Sequence, residues 1–383
     1  MRAPAETDFT SRLRSPAVAA RIGVWLGVCF AMAFVTGVIS HYAQLPHPIV
    51  PLPTSPSWGY RLTQGLHVAS GTAAIPLLLV KLWCVYPKLF AALPRSLRTG
   101  LLTALERGSI AVLVSASIFQ LATGLANSAQ WYPWQFPFRS SHYALAWIAI
   151  GALAVHIAVK LPVIRGALGA PLESTELDRP EASVPGAVSR RTVLRTTWVS
   201  AGAAVLLTAG ATVPWLRRVS LFAVRTGEGP QGVPVNRSAR AAAIDPAATG
   251  EAYRLVVRHG DRSRELSLAD LKALPQRTED LPIACVEGWS AGATWTGVRV
   301  RDLLDLVEAP SDTEVLVRSL QRRGGYAQSV LPGSYADHDD TLLALELNGE
   351  TLDSDHGYPA RLIAPNRPGV LQTKWVNELE VLP

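Results

Sequence analysis

Cys285, in the run Pro282-Ile283-Ala284-Cys285-Val286-Glu287-Gly288-Trp289-Ser290, is the one cysteine of this 383-residue chain that stands clear of long apolar stretches. The other two, Cys29 and Cys84, lie in or beside such stretches, so the three build no disulfide framework. A thiolate at Cys285 is a soft, electron-rich donor suited to a redox-active metal; a small buried hydrophobe is the plainer use of the same side chain. Histidine supplies a second set. His41, His67, His142 and His156 lie in or at the ends of apolar stretches, where an ionisable group is costly and usually functional. Imidazole is a standard axial ligand of haem iron. At 3.6 residues per turn, His142 and His156 return to within about 40° of one helix face, roughly 21 Å apart along the axis. His67 lies at a depth similar to that of His142, which makes these two the first choice for a bis-histidine haem. His156 has no counterpart near the inner side, so one haem is expected and two are possible; His41 competes for the outer iron.

These side chains need elements to hold them, and composition says what kind. Only 17% of residues are charged and 49% are hydrophobic, with a net charge of +6. The basic residues sit between apolar runs rather than on one face with interleaved aromatics, which argues against nucleic-acid binding and for a membrane protein oriented by its loops. Apolar runs at 22–40, 63–84, 108–126, 141–163 and 198–216 are each about long enough to cross a bilayer as a helix. Pro76 interrupts the second, which a helix packed in a bundle tolerates. Residues 1–21 carry Arg2, Arg12, Arg14 and Arg21 and show no cleavage-like pattern, so they are expected to be a cytoplasmic tail rather than a removable signal peptide.

Lys88, Arg95, Arg98 and Arg107 again mark an inner loop, as do Lys160 and Arg165, whereas the loops at 41–62 and 127–140 hold one basic residue each, Arg61 and Arg139. The excess of positive charge therefore places the N-terminus inside. Residues 166–197 are expected to be a mobile cytoplasmic linker ending in Ser189-Arg190-Arg191-Thr192, where Arg190-Arg191 resembles a twin-arginine export signal and also suits an ordinary basic flank of the fifth span. On either reading, the chain beyond span five lies on the outer, periplasmic side.

From residue 251 the pattern changes to short alternating runs. Tyr253 to Val257 reads as a strand, 268–274 as a helix capped by Ser267, 281–286 as the strand that delivers Cys285, and 300–307 as a second helix. Further strands are expected near 314–320, 326–331 and 342–347.

The motifs Cys285-Val286-Glu287-Gly288-Trp289, Trp295-Thr296-Gly297-Val298, Gly325-Tyr326, Leu347-Asn348-Gly349, His356-Gly357-Tyr358-Pro359-Ala360-Arg361 and Lys374-Trp375-Val376, in that order, closely resemble the molybdopterin domain of the sulfite oxidase family over residues 232–383. The resemblance implies molybdenum held by one pterin dithiolene and by the Cys285 thiolate. It also implies Arg361 and Lys374, with Asn236 and His356, as residues of the cofactor pocket. Arg318, Arg322 and Arg323 would form an anion-attracting rim if they face the metal, or ordinary surface charge if they do not. No immunoglobulin-like domain is expected after it, which would weaken the case for sulfite itself as substrate. Residues 22–165 resemble the four-helix cytochrome b subunit of membrane formate dehydrogenases, whose last helix carries two ligating histidines at this spacing.

The expectation is thus a multi-pass protein of the cell membrane. An all-α four-helix bundle and a fifth tethering helix precede a mixed α+β molybdopterin domain. It would couple oxygen-atom transfer on a small sulfoxide, sulfite-like molecule or other oxyanion to electron transfer through haem b and a quinone pool. A haem-free anchor served by a soluble redox partner protein, or a catalytically silent binding module, are the alternatives.

Overall fold

The computed structural model of the protein describes residues 4–91, 96–223 and 229–383; Arg2 and Arg95, two of the basic residues of the inner segments, lie outside them. The chain divides into two compact units. One comprises Met1–Gly37, Leu66–Gly210 and Leu216–Ala223, the other Val38–Gly65, Ala211–Trp215 and Val224–Pro383.

Five long helices run through the first part of the chain: α1 (Pro16–Ala43), α2 (Gly59–Val85), α3 (Leu97–Ser128), α4 (Phe138–Gly169) and α5 (Arg190–Thr208). All five are long and apolar enough to cross a membrane. Their apolar residues are spread around the axis, so large side chains such as Leu79, Val155 and Val159 stay more than half exposed. A core of Val18, Ile22, Leu26, Leu77, Leu78, Cys84 and Leu194 lies within the first unit. Cys84 therefore has an apolar packing role.

Helix α5 starts eight residues before the apolar run that suggested it and ends at Thr208 rather than near 216. Its first turns are polar, and hydropathy does not see polar helix. The start is set instead by Ser189, whose hydroxyl accepts the Thr192 N–H at 3.1 Å. Arg190 is buried, ion-paired with Asp178, and donates to the carbonyls of Arg12, Leu172 and Ser174. Arg191 is exposed. The linker expected to be mobile is hydrogen-bonded to the N-terminal segment: Arg12 N to Val184 O and Val184 N to Thr10 O, both at 3.0 Å, and Arg179 to the carbonyls of Glu6 and Phe9.

The second unit holds two five-stranded sheets. The first has the order β2 (Arg262–Ser267), β1 (Arg254–His259), β10 (Val376–Val381), β5 (Val315–Ser319), β6 (Gln328–Leu331). The β1–β10 pair is parallel and joins the two ends of the domain. The second has the order β3 (Gln276–Ala284), β4 (Ser290–Arg299), β7 (Leu342–Leu347), β8 (Glu350–Thr351), with β9 (Arg361–Ile363) also on β7. Inward residues of both sheets, among them Leu255, Val257, Val298, Val317, Leu343, Leu345 and Leu379, share one core. A second cluster, on the opposite face of the β3–β4–β7 sheet, contains Cys285, Trp289, Trp295, Leu342 and Ile363.

Two expectations change here. The strand before Cys285 begins five residues earlier and stops at Ala284, so Cys285 belongs to a turn. Strand β4 is absent from the sequence pattern, because Ala291, Gly292, Ala293 and Gly297 have poor strand propensity; pairing on both sides, with β3 and β7, overrides it.

Candidate active site

Cys285 stands where β3 gives way to a tight loop. Its N–H donates to Trp289 O at 2.9 Å and its carbonyl accepts the Gly288 N–H at 3.1 Å, so the hairpin closes on itself around the sulfur. The thiol is 1% exposed. Burial pushes it up to about 12, with help from the Glu287 carboxylate, while the Glu287 and Val286 N–H groups and the Lys374 ammonium pull the other way. Metal binding at this sulfur would have to release that proton.

Other residues of the same unit brace this hairpin. Thr212 donates from its hydroxyl to Gly288 O, and Arg61 Nε donates to Ser290 Oγ at 2.8 Å. Tyr60 and Ala43 pack on Ala284, the residue before the cysteine.

Arg361 and Lys374 are brought to the sulfur by β9 and by the approach to β10. Both are buried, at 1% and 8% exposure. Burial draws Arg361 down to about 9, and the nearby Cys285 opposes the shift. Lys374 is drawn well below the usual lysine range by burial, then by the positive charge of Arg361. Two cations crowded together in apolar surroundings make a site that favours an anion. Arg361 Nη1 donates to His356 O at 3.2 Å and its plane lies 5.2 Å from the Trp295 ring centre; its Nε has no partner. Lys374 Nζ donates to the carbonyls of Arg237 at 3.0 Å and Asp355 at 2.7 Å. Gly357 must be glycine for this approach: its φ is 112°, and a Cβ there would meet Lys374 Cβ at 3.0 Å.

His356 is fully buried. Its Nε2 lies 2.7 Å from Pro230 O; a carbonyl only accepts, so the proton is on Nε2 and Nδ1 keeps a lone pair, which finds no donor. Burial and the Arg361 charge lower its pKa to about 4, which keeps the ring neutral. An unmet donor on Arg361 and an unmet acceptor on His356 suit a ligand that is phosphate-bearing and also carries N–H groups, as molybdopterin does. Asn236 is half-buried one residue before Arg237, and no side-chain hydrogen bond ties it to the pocket.

The sequence alone assigns no role to Glu287, to Trp295 as the platform under Arg361, or to Arg237, whose Nε is buried without a partner. Only the place of Arg237 beside Asn236 points to it. The three arginines weighed as an anion-attracting rim differ in their partners. Arg318 pairs across the sheet with Glu378 and Glu380, and Arg322 is exposed opposite Asp245. Arg323 is exposed as well.

In the first unit, His67 of α2 and His142 of α4 face each other with ring centres 6.3 Å apart. His67 Nδ1 lies 2.9 Å from Ala33 O. Thr123 spends its hydroxyl proton on Phe119 O at 2.7 Å, leaving its oxygen to accept from His142 Nδ1 at 3.2 Å. Both rings therefore carry the proton on Nδ1 and leave the Nε2 lone pair for a metal. With metal–imidazole bonds of about 2 Å, two rings on one iron have centres roughly 6 Å apart, which matches the pair. His156 lies farther along α4 without a histidine partner among the described contacts, and His41 is on the last turn of α1, in the second unit, its ring against Tyr42. Among the described residues no three His, Cys, Asp or Glu side chains gather as a cage for a bare ion, so a metal at either place needs a cofactor that brings its own donors.

Residues 242–383 match the family described as the oxidoreductase molybdopterin binding domain. Among individual proteins, the chain is 28% identical over 152 residues to sulfite oxidase of Arabidopsis thaliana, covering 31% of this chain and 39% of that one. It is 30% identical over 161 residues to mitochondrial sulfite oxidase of Drosophila melanogaster, covering 36% and 28%. It is 34% identical over 115 residues to the putative protein-methionine-sulfoxide reductase subunit YedZ1 of Azospira oryzae, covering 30% and 43%. The chain spans less than half the length of each of these relatives. Together the matches support a sulfite oxidase-family molybdopterin-binding domain at the C-terminal end.

Proposed function

We propose that this chain is a membrane-bound, molybdopterin-dependent oxidoreductase. In this reading the second unit transfers oxygen on a small sulfoxide, sulfite-like molecule or other oxyanion, and the first exchanges electrons with a quinone pool or a redox partner protein through haem b. The observation that carries it is the buried Cys285 thiol within electrostatic reach of Arg361 and Lys374, two buried cations in a pocket with an unmet donor and an unmet acceptor. Molybdopterin bound there supplies a two-electron centre able to give or take one oxygen atom. The chain's own residues do the rest. Cys285 would ligate the metal, the N–H groups of Val286 and Glu287 would stabilise its negative charge, Arg361 and Lys374 would hold the phosphate, and His356 would offer an acceptor to the pterin. The name borne by the YedZ1 relative favours reduction of a sulfoxide, in which two electrons and two protons release the oxygen as water.

For haem, the support is the His67–His142 pair with both Nε2 atoms free of protons. The basic loops support an outer, periplasmic location for the C-terminal unit of a protein of the cell membrane. Elemental and pyridine-haemochrome analysis of the purified full chain tests the reading: one molybdenum and one haem per chain are expected. Well-folded material with neither would end it, and molybdenum without haem would leave the anchor-only alternative.

A further inference from the structure

We propose that Arg367 is an oxyanion-binding residue of the second unit, a role that rests on the proposed molybdopterin site and extends it beyond Arg361 and Lys374. Its side chain is 4% exposed. Nη2 donates to Val330 O at 2.9 Å and reaches Ser329 Oγ at 3.4 Å, but Nε and Nη1 are buried without any acceptor. The Tyr335 ring lies 5.8 Å from the guanidinium, and no carboxylate among the described residues pairs with it. A buried arginine with two idle donors and no counter-charge is costly to the folded chain unless an anion completes it.

The segment that carries Arg367 says where that anion would sit. Asn366, at φ 53°, accepts from Tyr60 N and donates from Nδ2 to Pro53 O at 2.6 Å. Two residues past Arg367, Gly369 lies so close to the strand leading to Cys285 that a Cβ would stand 2.9 Å from Ala284 O. The backbone on either side of Arg367 thus touches the loop before α2 through Asn366 and the strand before Cys285 through Gly369, while its side chain bonds to Val330, whose N–H donates to Pro46 O at 2.8 Å. The anion is either the phosphate of the cofactor or an anionic oxygen of the substrate.

Arg367→Met in the full chain separates these. Without molybdate in the growth medium, the variant melts about 3 °C higher than wild type because the lone buried charge is gone. It also loses at least half of the rise in melting temperature that millimolar inorganic phosphate, at constant ionic strength, gives wild type. An equal phosphate response in both overturns the proposal. In molybdate-grown material, a tenfold fall in molybdenum content assigns the cofactor phosphate, whereas unchanged content with a tenfold rise in KM assigns the substrate; no change in either overturns the role. If the methionine variant does not fold, Arg367→Lys keeps the charge but not the forked donors, and should need about tenfold more phosphate for half its effect; an unchanged requirement overturns it equally. A wild-type chain without molybdenum would sink the proposed function, yet the phosphate response would still decide the case of Arg367.

Discussion

The two units hold their reactive side chains on opposite plans. In the helical unit, His67 and His142 are satisfied where they stand: each Nδ1 has a backbone carbonyl or a threonine oxygen from a neighbouring helix, and what is left over is one lone pair per ring. In the sheet unit, Arg361, His356, Arg237 and Arg367 keep buried polar atoms with no partner among the described residues. The lesson is that a neutral ligand pair can be completed within the fold. A cationic pocket can be left incomplete only if something brought from outside completes it, since each idle buried donor or acceptor costs about 1–3 kcal/mol.

The sharpest way to break this comparison is to disable each site separately. Cys285→Ser should abolish turnover and molybdenum binding while leaving the haem spectrum intact, and His67→Ala or His142→Ala should abolish the b-type spectrum while leaving molybdenum content intact. Loss of both groups in any one variant would mean that the two sites do not assemble independently.

Arg190 offers the next largest effect. Its buried pair with Asp178 sets it apart from exposed Arg191, so Arg190→Ala should lower stability by about 3–5 kcal/mol and Arg191→Ala by less than about 0.5 kcal/mol. If Arg190-Arg191 is read instead by an export machinery, the two changes should impair delivery of the C-terminal unit alike, which a protease-accessibility assay on intact cells would reveal.

A smaller, pH-dependent effect belongs to His356. Its folded pKa of about 4 lies below the usual 6.5, so between these values the unfolded chain takes up the proton and the folded one does not. Stability is present above pH 6.5 and falls as the pH drops towards 4, by at most about 3 kcal/mol. His356→Gln should flatten that part of the profile; an unaltered acid limb would place the loss elsewhere.

Thr123→Val probes the helical plan most gently. It removes the acceptor of His142 Nδ1 and should weaken haem retention by roughly tenfold, with no effect on the molybdenum site.

How much is legible in the sequence differs between the units for the same physical reason. Helical periodicity and membrane depth are local properties, so the pairing of His67 with His142 can be expected from position alone. The boundaries are less visible: α5 begins in polar residues, and β4 runs through alanine and glycine that become strand only because β3 and β7 flank them. The order of the linker is hidden because its partners, residues 6–14, are more than 150 positions away.

What the amino-acid order determined by itself was the inventory: five apolar helices, a lone cysteine clear of them, and the motif series that marks the C-terminal domain. Tertiary structure alone decided that Tyr60, Arg61 and Thr212 brace the Cys285 hairpin and that Arg318 is neutralised by Glu378 and Glu380. It also decided that Arg367 stands buried and uncompensated. Burial and charge balance are properties of neighbours in space, and here the neighbours are as many as 313 residues apart in the chain.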